Sequence, residues 1–429
     1  MKVLLIGGGG REHALAWKIS QSKGVKSIFC IPGNGGISEI ADCVNIDFQD
    51  LNGLVNFTKQ EHIDIVVVGP ENPLAIGIVD YFEERGIPIF GPRKMGAQIE
   101  SSKVFAKNLM DKYEIPTASF RIFRNFKDAH DYVNEIGAPY VIKADGLAAG
   151  KGAYVIKNND EGKQVLKNVM IDKIHGEAGE SVIIEQFLPG IEASYLAFTD
   201  GKSILPLLAS QDHKPLLDND KGPNTGGMGA YTPIPFIDEK MEIDINNSIM
   251  KRTIDAMKSE GAQYKGVLYG GLMIMEDNKP YVIEFNARLG DPETQPILFK
   301  MESDIMPIFQ ACIEGKLDES MTIGWKDGVS VCVVLASKGY PDKTEKGMII
   351  RGLDELKGNK DVMVFHAGTK KIGNDFYSSG GRVLGVTAIG KTYTDAIRKV
   401  YEAVSCIKFE GMQYRRDIGA KALTYVSKG

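Results

Sequence analysis

Residues 2–6, KVLLI, run straight into four consecutive glycines, Gly7 to Gly10, and beyond them Ala, Leu, Trp and Ile recur at helical spacing. Strand, glycine turn, helix is the opening of a β-α-β unit, and it predicts a parallel sheet wrapped by helices. The pattern returns twice: residues 27–31 end in Pro32-Gly33-Asn34-Gly35-Gly36, and residues 63–68 end in Gly69-Pro70-Glu71. Unbroken apolar runs such as 65–68 suit strands covered on both faces. Residues 1–100 therefore predict a doubly wound α/β domain whose glycine turns gather at the carboxyl ends of its strands, where such sheets bind ligands.

Composition excludes several alternatives. The 51 Lys and Arg against 56 Asp and Glu leave a net charge of −5, with no basic footprint for nucleic acid or an anionic membrane. The apolar run before Gly7 is too short for a signal peptide or a membrane span, so a cytoplasmic protein is expected. Five cysteines without a CxxC pair and six histidines without HExxH signal neither a disulfide framework nor a zinc site, and predict reduced, mostly buried thiols. What stands out is 48 glycines in 429 residues, well above the ordinary share of about 7%, and they cluster.

Past residue 100 the grammar changes. A helix is expected over 99–110, then strands at 140–143, 153–157 and 182–185, the first two joined by a glycine loop. Further strands are expected at 271–275, 281–285 and 329–335. This predicts a second domain over 101–325, containing a small α+β subdomain at 120–187, and a third over 326–429.

Three motifs bear on chemistry. Gly7-x-Gly9-x-x-Glu12 begins like a dinucleotide fingerprint, but Glu12 stands in place of the third glycine and no acidic residue ends the second strand, which disfavours NAD. A glycine turn before a helix still offers backbone N–H groups to an anion, or is simply a tight turn. Residues 146–152, GLAAGKG, resemble a Walker A loop with one residue too few between glycines and Gly152 where Ser or Thr must stand. Flanked by strands, they predict a hairpin flap whose amides and Lys151 close over phosphates. Glu284-Phe285-Asn286 places two oxygen donors on one face of a strand, enough for Mg²⁺ beside nucleotide phosphates, or else a solvated strand end.

Together, Lys143, the glycine flap, Glu185-Gln186-Phe187-Leu188, Glu192 and the Glu284 to Asn286 strand resemble the ATP-grasp ligases. More narrowly, GGGGREHALAWK, KADGLAAGKG, QDHK, GPNTGGMGAY, RLGDPETQ, SSGGRVLGVTA and YRRDIG resemble the glycinamide ribonucleotide synthetase (phosphoribosylamine-glycine ligase) family, from Met1 to the last helix. The resemblance implies an ATP-grasp fold with an N-terminal doubly wound (pre-ATP-grasp) domain and a C-terminal α+β domain. It implies ligation of glycine to 5-phosphoribosylamine with release of ADP and phosphate, through a glycyl phosphate, in purine biosynthesis. The alternatives are another ATP-grasp carboxylate-amine ligase and a non-catalytic nucleotide-binding regulator.

Carried over residue by residue, the resemblance implies that Lys103, Lys143 and Lys151 meet ATP phosphates, with Gly146, Gly150 and Gly152 in the flap. Glu185, Phe187 and Leu188 meet adenine, and Glu192 the ribose. Glu284 and Asn286 hold Mg²⁺ or Mn²⁺. Arg288 lies beside the acyl phosphate, and Lys143 and Lys151 join it as catalytic residues. Asp212, Lys214, Thr225 and Gly226 approach glycine or the ribosylamine, and Gly9, Gly10, Arg11, Asn34 and Glu71 the phosphoribose. Residues 272–275, LMIM, lack the second metal-binding carboxylate of many ATP-grasp enzymes, which favours one metal ion. A monomer is the family-like expectation.

Overall fold

The computed structural model describes residues 1–148, 152–318 and 320–426. Strands Lys2–Gly7, Ser27–Pro32, Asp42–Cys43, Ile65–Val68 and Ile89–Phe90 form one parallel sheet in the spatial order third, second, first, fourth, fifth. Every residue of Ile65–Val68 is buried, as a run without alternation requires. The strand order reverses between the first and fourth strands, and the glycine turns lie at the carboxyl ends of the first, second and fourth strands.

The expected helix over 99–110 is two helices, Lys94–Ser101 and Lys103–Lys112. Ser102 is extended (φ −134°, ψ 107°) and caps the second helix, its hydroxyl accepting from Phe105 N–H at 3.1 Å and donating to Asp145 at 3.1 Å. Periodicity cannot see such a break, because both helices bury apolar faces in nearly the same phase. The break puts Lys103 at a helix start that faces the flap.

The small lobe is a four-stranded antiparallel sheet in the order Phe120–Phe123, Val182–Gln186, Tyr140–Ala144, Ala153–Ile156. It has its own apolar core, built from Ala129, Val133, Ile142, Leu166 and Val182 among others. Below it, Ile191–Thr199 pairs along its whole length with Gly266–Ile274, which pairs in turn with Pro280–Asn286. The middle strand starts well before the expected 271. Gly271 faces Glu284 and Leu272 faces Val282, so Ile283 has no partner across the sheet. This bulge leaves the Ile283 carbonyl available to other donors.

The last sheet crosses the sequence divisions. Gln211–Asp212 and Gly229–Thr232 join Val329–Ala336, Arg382–Gly390 and Val362–His366 in one five-stranded sheet. A cut at 325/326 therefore separates strands that share hydrogen bonds, Gln211–Asp212 and Gly229–Thr232 pairing into the sheet of the C-terminal part. Two large apolar clusters run continuously through the N-terminal, central and C-terminal regions.

Candidate active site

A cleft of about 810 Å³ opens between the small lobe and the body, and most of the candidate residues line it. At the small-lobe end, Lys143 donates from Nζ to the Glu185 carboxylate at 3.0 Å and to the carbonyl of Ile283 at 2.6 Å. The bulge in the facing strand supplies that carbonyl. The other Glu185 oxygen lies 3.2 Å from Nζ of Lys107, and all three side chains are almost wholly buried. Burial lowers the Lys107 ammonium to about 8, with Glu185 acting in the opposite sense. Lys103 donates to the carbonyl of Gly146 at 2.8 Å, and burial lowers its pKa as well. Lys107 was not among the sequence candidates. It sits one helical turn past Lys103, the spacing that puts two side chains on one face.

Glu284 and Asn286 stand on Pro280–Asn286, opposite Gly271 and Tyr269. The neighbouring cation Lys214 holds the Glu284 carboxyl down at about 2, reinforced by Lys143 and Lys103 against the cost of burial. Lys214 bridges two acids, lying against Glu192 and 3.3 Å from Glu284. Burial works against its charge, and those two carboxylates outweigh it, so its pKa rises well above the ordinary value. The donor set fits a hard divalent cation: one ionised carboxylate and one amide oxygen, beside lysines spaced for phosphates. Among the described residues no three His, Cys, Asp or Glu side chains converge on a metal site.

Arg288 is held by two carboxylates, Nε to Glu71 at 2.9 Å and Nη2 to Glu100 at 2.8 Å, and Nη2 also approaches the Asn286 amide oxygen at 3.4 Å. Burial costs the Glu71 charge, and Arg288 and Arg11 more than repay it, leaving Glu71 at about 2. Burial raises Glu100 instead. Glu100 precedes Arg288 by far in sequence and carries no motif, so it could not be found from the sequence.

Asp212, Thr225 and Gly226 complete the far end. The Thr225 hydroxyl and amide both donate to the carbonyl of Lys214, at 2.7 and 2.8 Å, which folds the 222–229 loop onto the strand that carries Asp212. Burial raises the Asp212 carboxyl well above its usual range, and the nearby Glu293 adds to the shift. Glu293 accepts from Ser194 at 3.0 Å and Tyr269 at 2.6 Å.

The N-terminal candidates divide. Arg11 and Glu71 line the cleft, whereas Gly9, Gly10 and Asn34 do not. The Gly9 amide is not open to an anion: it donates to Glu12 Oε2 at 2.6 Å, and a Cβ at Gly9 would lie 3.4 Å from the Asp291 carboxylate. Glu12, which stands in place of the third glycine of the dinucleotide fingerprint, packs its side chain against Gly7, Gly9 and Gly69. Asn34 is spent on structure, donating to Gly8 O at 2.9 Å and His366 O at 2.8 Å while accepting from the amides of Gly36 and Ile37 at 2.9 Å each. Phe187, Leu188, Gly146, Gly152 and Glu192 line the cleft, and Gly150 and Lys151 lie outside the described residues. All five cysteines are free, and three of them, Cys30, Cys312 and Cys332, are buried, as expected of mostly buried reduced thiols; Cys406 is half-buried and Cys43 exposed. No described helix is long and apolar enough to cross a membrane.

Comparison with known proteins gives one consistent result. The N domain of phosphoribosylglycinamide synthetase matches residues 1–100, its ATP-grasp (A) domain residues 101–294, and its C domain residues 330–421. A phosphoribosylamine-glycine ligase of Neisseria meningitidis serogroup B is 50% identical over 424 residues, covering 99% of this chain and all of the relative. One from Caldanaerobacter subterraneus is 48% identical over 98% of this chain and all of its own. The crystal structure of phosphoribosylamine-glycine ligase from Thermotoga maritima superposes with a TM-score of 0.83 at 33% identity, covering 97% of this chain and 100% of that one. A biotin carboxylase domain from Hydrogenobacter thermophilus, 17% identical with a TM-score of 0.73 over 96% of this chain and 91% of its own, shares the fold. With all three domains matched in order and a cleft flanked by Lys143, Glu284 and Asn286, the chain belongs to the phosphoribosylglycinamide synthetase family and is an ATP-grasp ligase.

Proposed function

We infer that this chain joins glycine to 5-phosphoribosylamine at the expense of ATP, giving 5′-phosphoribosylglycinamide, ADP and phosphate in purine biosynthesis. The observation that carries this reading is the near-complete match, at about half identity, to ligases of that name. The charge layout of the cleft supports it, because phosphoryl transfer asks for positioned cations and needs no covalent nucleophile.

Lys103, Lys143 and the flap residues Gly146, Gly150, Lys151 and Gly152 hold the triphosphate. Glu185, Phe187 and Leu188 border the adenine, and Glu192 the ribose. Glu284 and Asn286 hold Mg²⁺ or Mn²⁺, which when bound offsets the phosphate charge. Arg288, fixed by Glu71 and Glu100, stabilises the glycine carboxylate as it attacks the γ-phosphoryl group. The resulting glycyl phosphate is then attacked by the ribosylamine nitrogen, and phosphate leaves. Asp212, Lys214, Thr225 and Gly226 orient the two acceptors. Gly9, Gly10, Arg11, Asn34 and Glu71 are the N-terminal candidates for the phosphoribose, and of these Arg11 and Glu71 line the cleft. Holding amine and acyl phosphate together lowers the barrier by about 7 to 11 kcal/mol, the worth of a well-oriented intramolecular reaction. The chain acts on small molecules, as a cytoplasmic monomer.

The test uses glycine labelled with oxygen-18 in its carboxylate, fresh phosphoribosylamine and Mg-ATP. Label in the released phosphate, with one ribosylglycinamide per phosphate, is the expected result. Unlabelled phosphate would remove the acyl-phosphate route, and no ribosylglycinamide at all would remove the assignment.

A further inference from the structure

We propose that Arg382 is a positioning residue for the ligase reaction, clamping the two loops that form the acceptor end of the cleft. It opens strand Arg382–Gly390 of the C-terminal sheet and reaches into the cleft wall. Its Nη1 donates to the carbonyl of Gly226 at 2.5 Å and to that of Asp291 at 2.6 Å, while Nη2 lies 3.3 Å from the Asp291 carboxylate. Arg has five N–H donors in a rigid fork. Both Nη1 hydrogens and one on Nη2 are thus committed to main chain and side chain of two loops, 222–229 and 288–293.

Gly226 is fixed from its other side too, its amide donating to the Tyr340 hydroxyl at 3.0 Å. Both backbone groups of this glycine are therefore held by side chains of the C-terminal part. A Cβ at Gly226 would lie 3.1 Å from Arg382 Cζ, so the loop is pressed onto the guanidinium. Asp291 carries the clamp onward: its Oδ1 accepts from Gln295 at 2.8 Å, and Oδ2 faces the Arg11 amide at 3.5 Å. One planar group thereby sets the spacing between the Thr225-Gly226 turn and the segment that begins at Arg288. A lysine supplies the charge without the fork and cannot reach both carbonyls and the carboxylate together. None of the Arg382 bonds touches Lys103, Lys143 or Glu185, so the nucleotide end is built independently. The kinetic consequence rests on the proposed function, since it takes these loops as the acceptor site.

Two readouts on the full chain test it, using Arg382→Ala and Arg382→Lys. Hydrogen exchange followed by mass spectrometry should show faster exchange in peptides spanning 222–229 and 288–293, with small-lobe peptides unchanged. Steady-state kinetics should show kcat/KM for glycine and ribosylamine at least 100-fold lower in Arg382→Ala, with KM for ATP within twofold. Arg382→Lys should recover less than a tenth of the loss, and added guanidinium ion should partly restore Arg382→Ala. Unaltered exchange in both loops overturns the clamp. So does a loss that falls equally on ATP and the acceptors, which is what general destabilisation would give; Arg382→Lys, which keeps the charge, decides this if Arg382→Ala folds poorly. Loosened loops in a protein whose wild type makes no ribosylglycinamide would keep the clamp and overturn the ligase reading.

Discussion

Lys143 and Glu185 form a hydrogen-bonded ion pair of 3.0 Å in which both side chains are at least 96% buried, and Lys107 shares the same carboxylate. Two ammonium groups thus depend on one acid. Replacing Glu185 by Ala leaves both charges without their buried partner, and removing one member of such a set costs about 3 to 5 kcal/mol. Urea denaturation should show that loss for Glu185→Ala and a smaller one for Glu185→Gln. A change below about 1 kcal/mol would mean that solvent screens the pair.

Glu284 stays ionised far below neutral pH because Lys214, Lys143 and Lys103 surround it. Its carboxylate is therefore ready for a cation throughout the working range. Glu284→Ala combined with Asn286→Ala should lower kcat by roughly 10³-fold or more, the scale of lost metal-assisted charge stabilisation. Far-ultraviolet circular dichroism should be unchanged, and retained activity would remove the metal assignment.

Arg288 meets Glu71 and Glu100 with different nitrogens of one guanidinium, a geometry lysine cannot copy. Arg288→Lys should keep the fold and lose about 10² to 10³ in kcat, as for removal of one preorganised donor. Near-normal turnover would show that charge alone suffices there.

The N-terminal and C-terminal parts meet at a pair of histidines. The His366 amide donates to His13 Nδ1 at 2.7 Å, and burial lowers His13 to about 3 and His366 to about 4. The unfolded chain binds protons at these groups near pH 6.5, whereas the folded chain does not, so stability is complete above pH 6.5 and falls as the pH drops toward 4. Each histidine contributes a slope of up to about 1.4 kcal/mol per pH unit. His13→Gln keeps an acceptor for the amide and removes one titration, so denaturation midpoints measured from pH 7 to 4 should fall less steeply. An unchanged slope would place the acid sensitivity elsewhere.

What was legible in the sequence is what local spacing encodes. That Glu284 and Asn286 share a strand follows from alternation, and the paired strands Tyr140–Ala144 and Ala153–Ile156 follow from two apolar runs. The failures are long-range. That the Gly9 amide is bonded to the Glu12 carboxylate is a feature of the folded turn that glycine spacing does not encode. The bonds of Asn34 to Gly8 and His366, which tie the turn to the C-terminal part, join residues far apart in the chain. Glu100, Lys107 and Arg382 escaped because their partners, Arg288, Glu185 and Gly226, are brought to them by tertiary packing that no single-sequence period records.

The separate core of the small lobe has a mechanical consequence. The two large apolar clusters run through the rest of the molecule, so hinging those regions apart would expose buried apolar side chains. The four-stranded lobe carries its own interior and can swing as a unit at little cost in exposed apolar area. What such a swing would have to break is polar, the bond from Lys143 to the Ile283 carbonyl and the pair between Glu185 and Lys107, so charge and not apolar packing latches the lobe to the body.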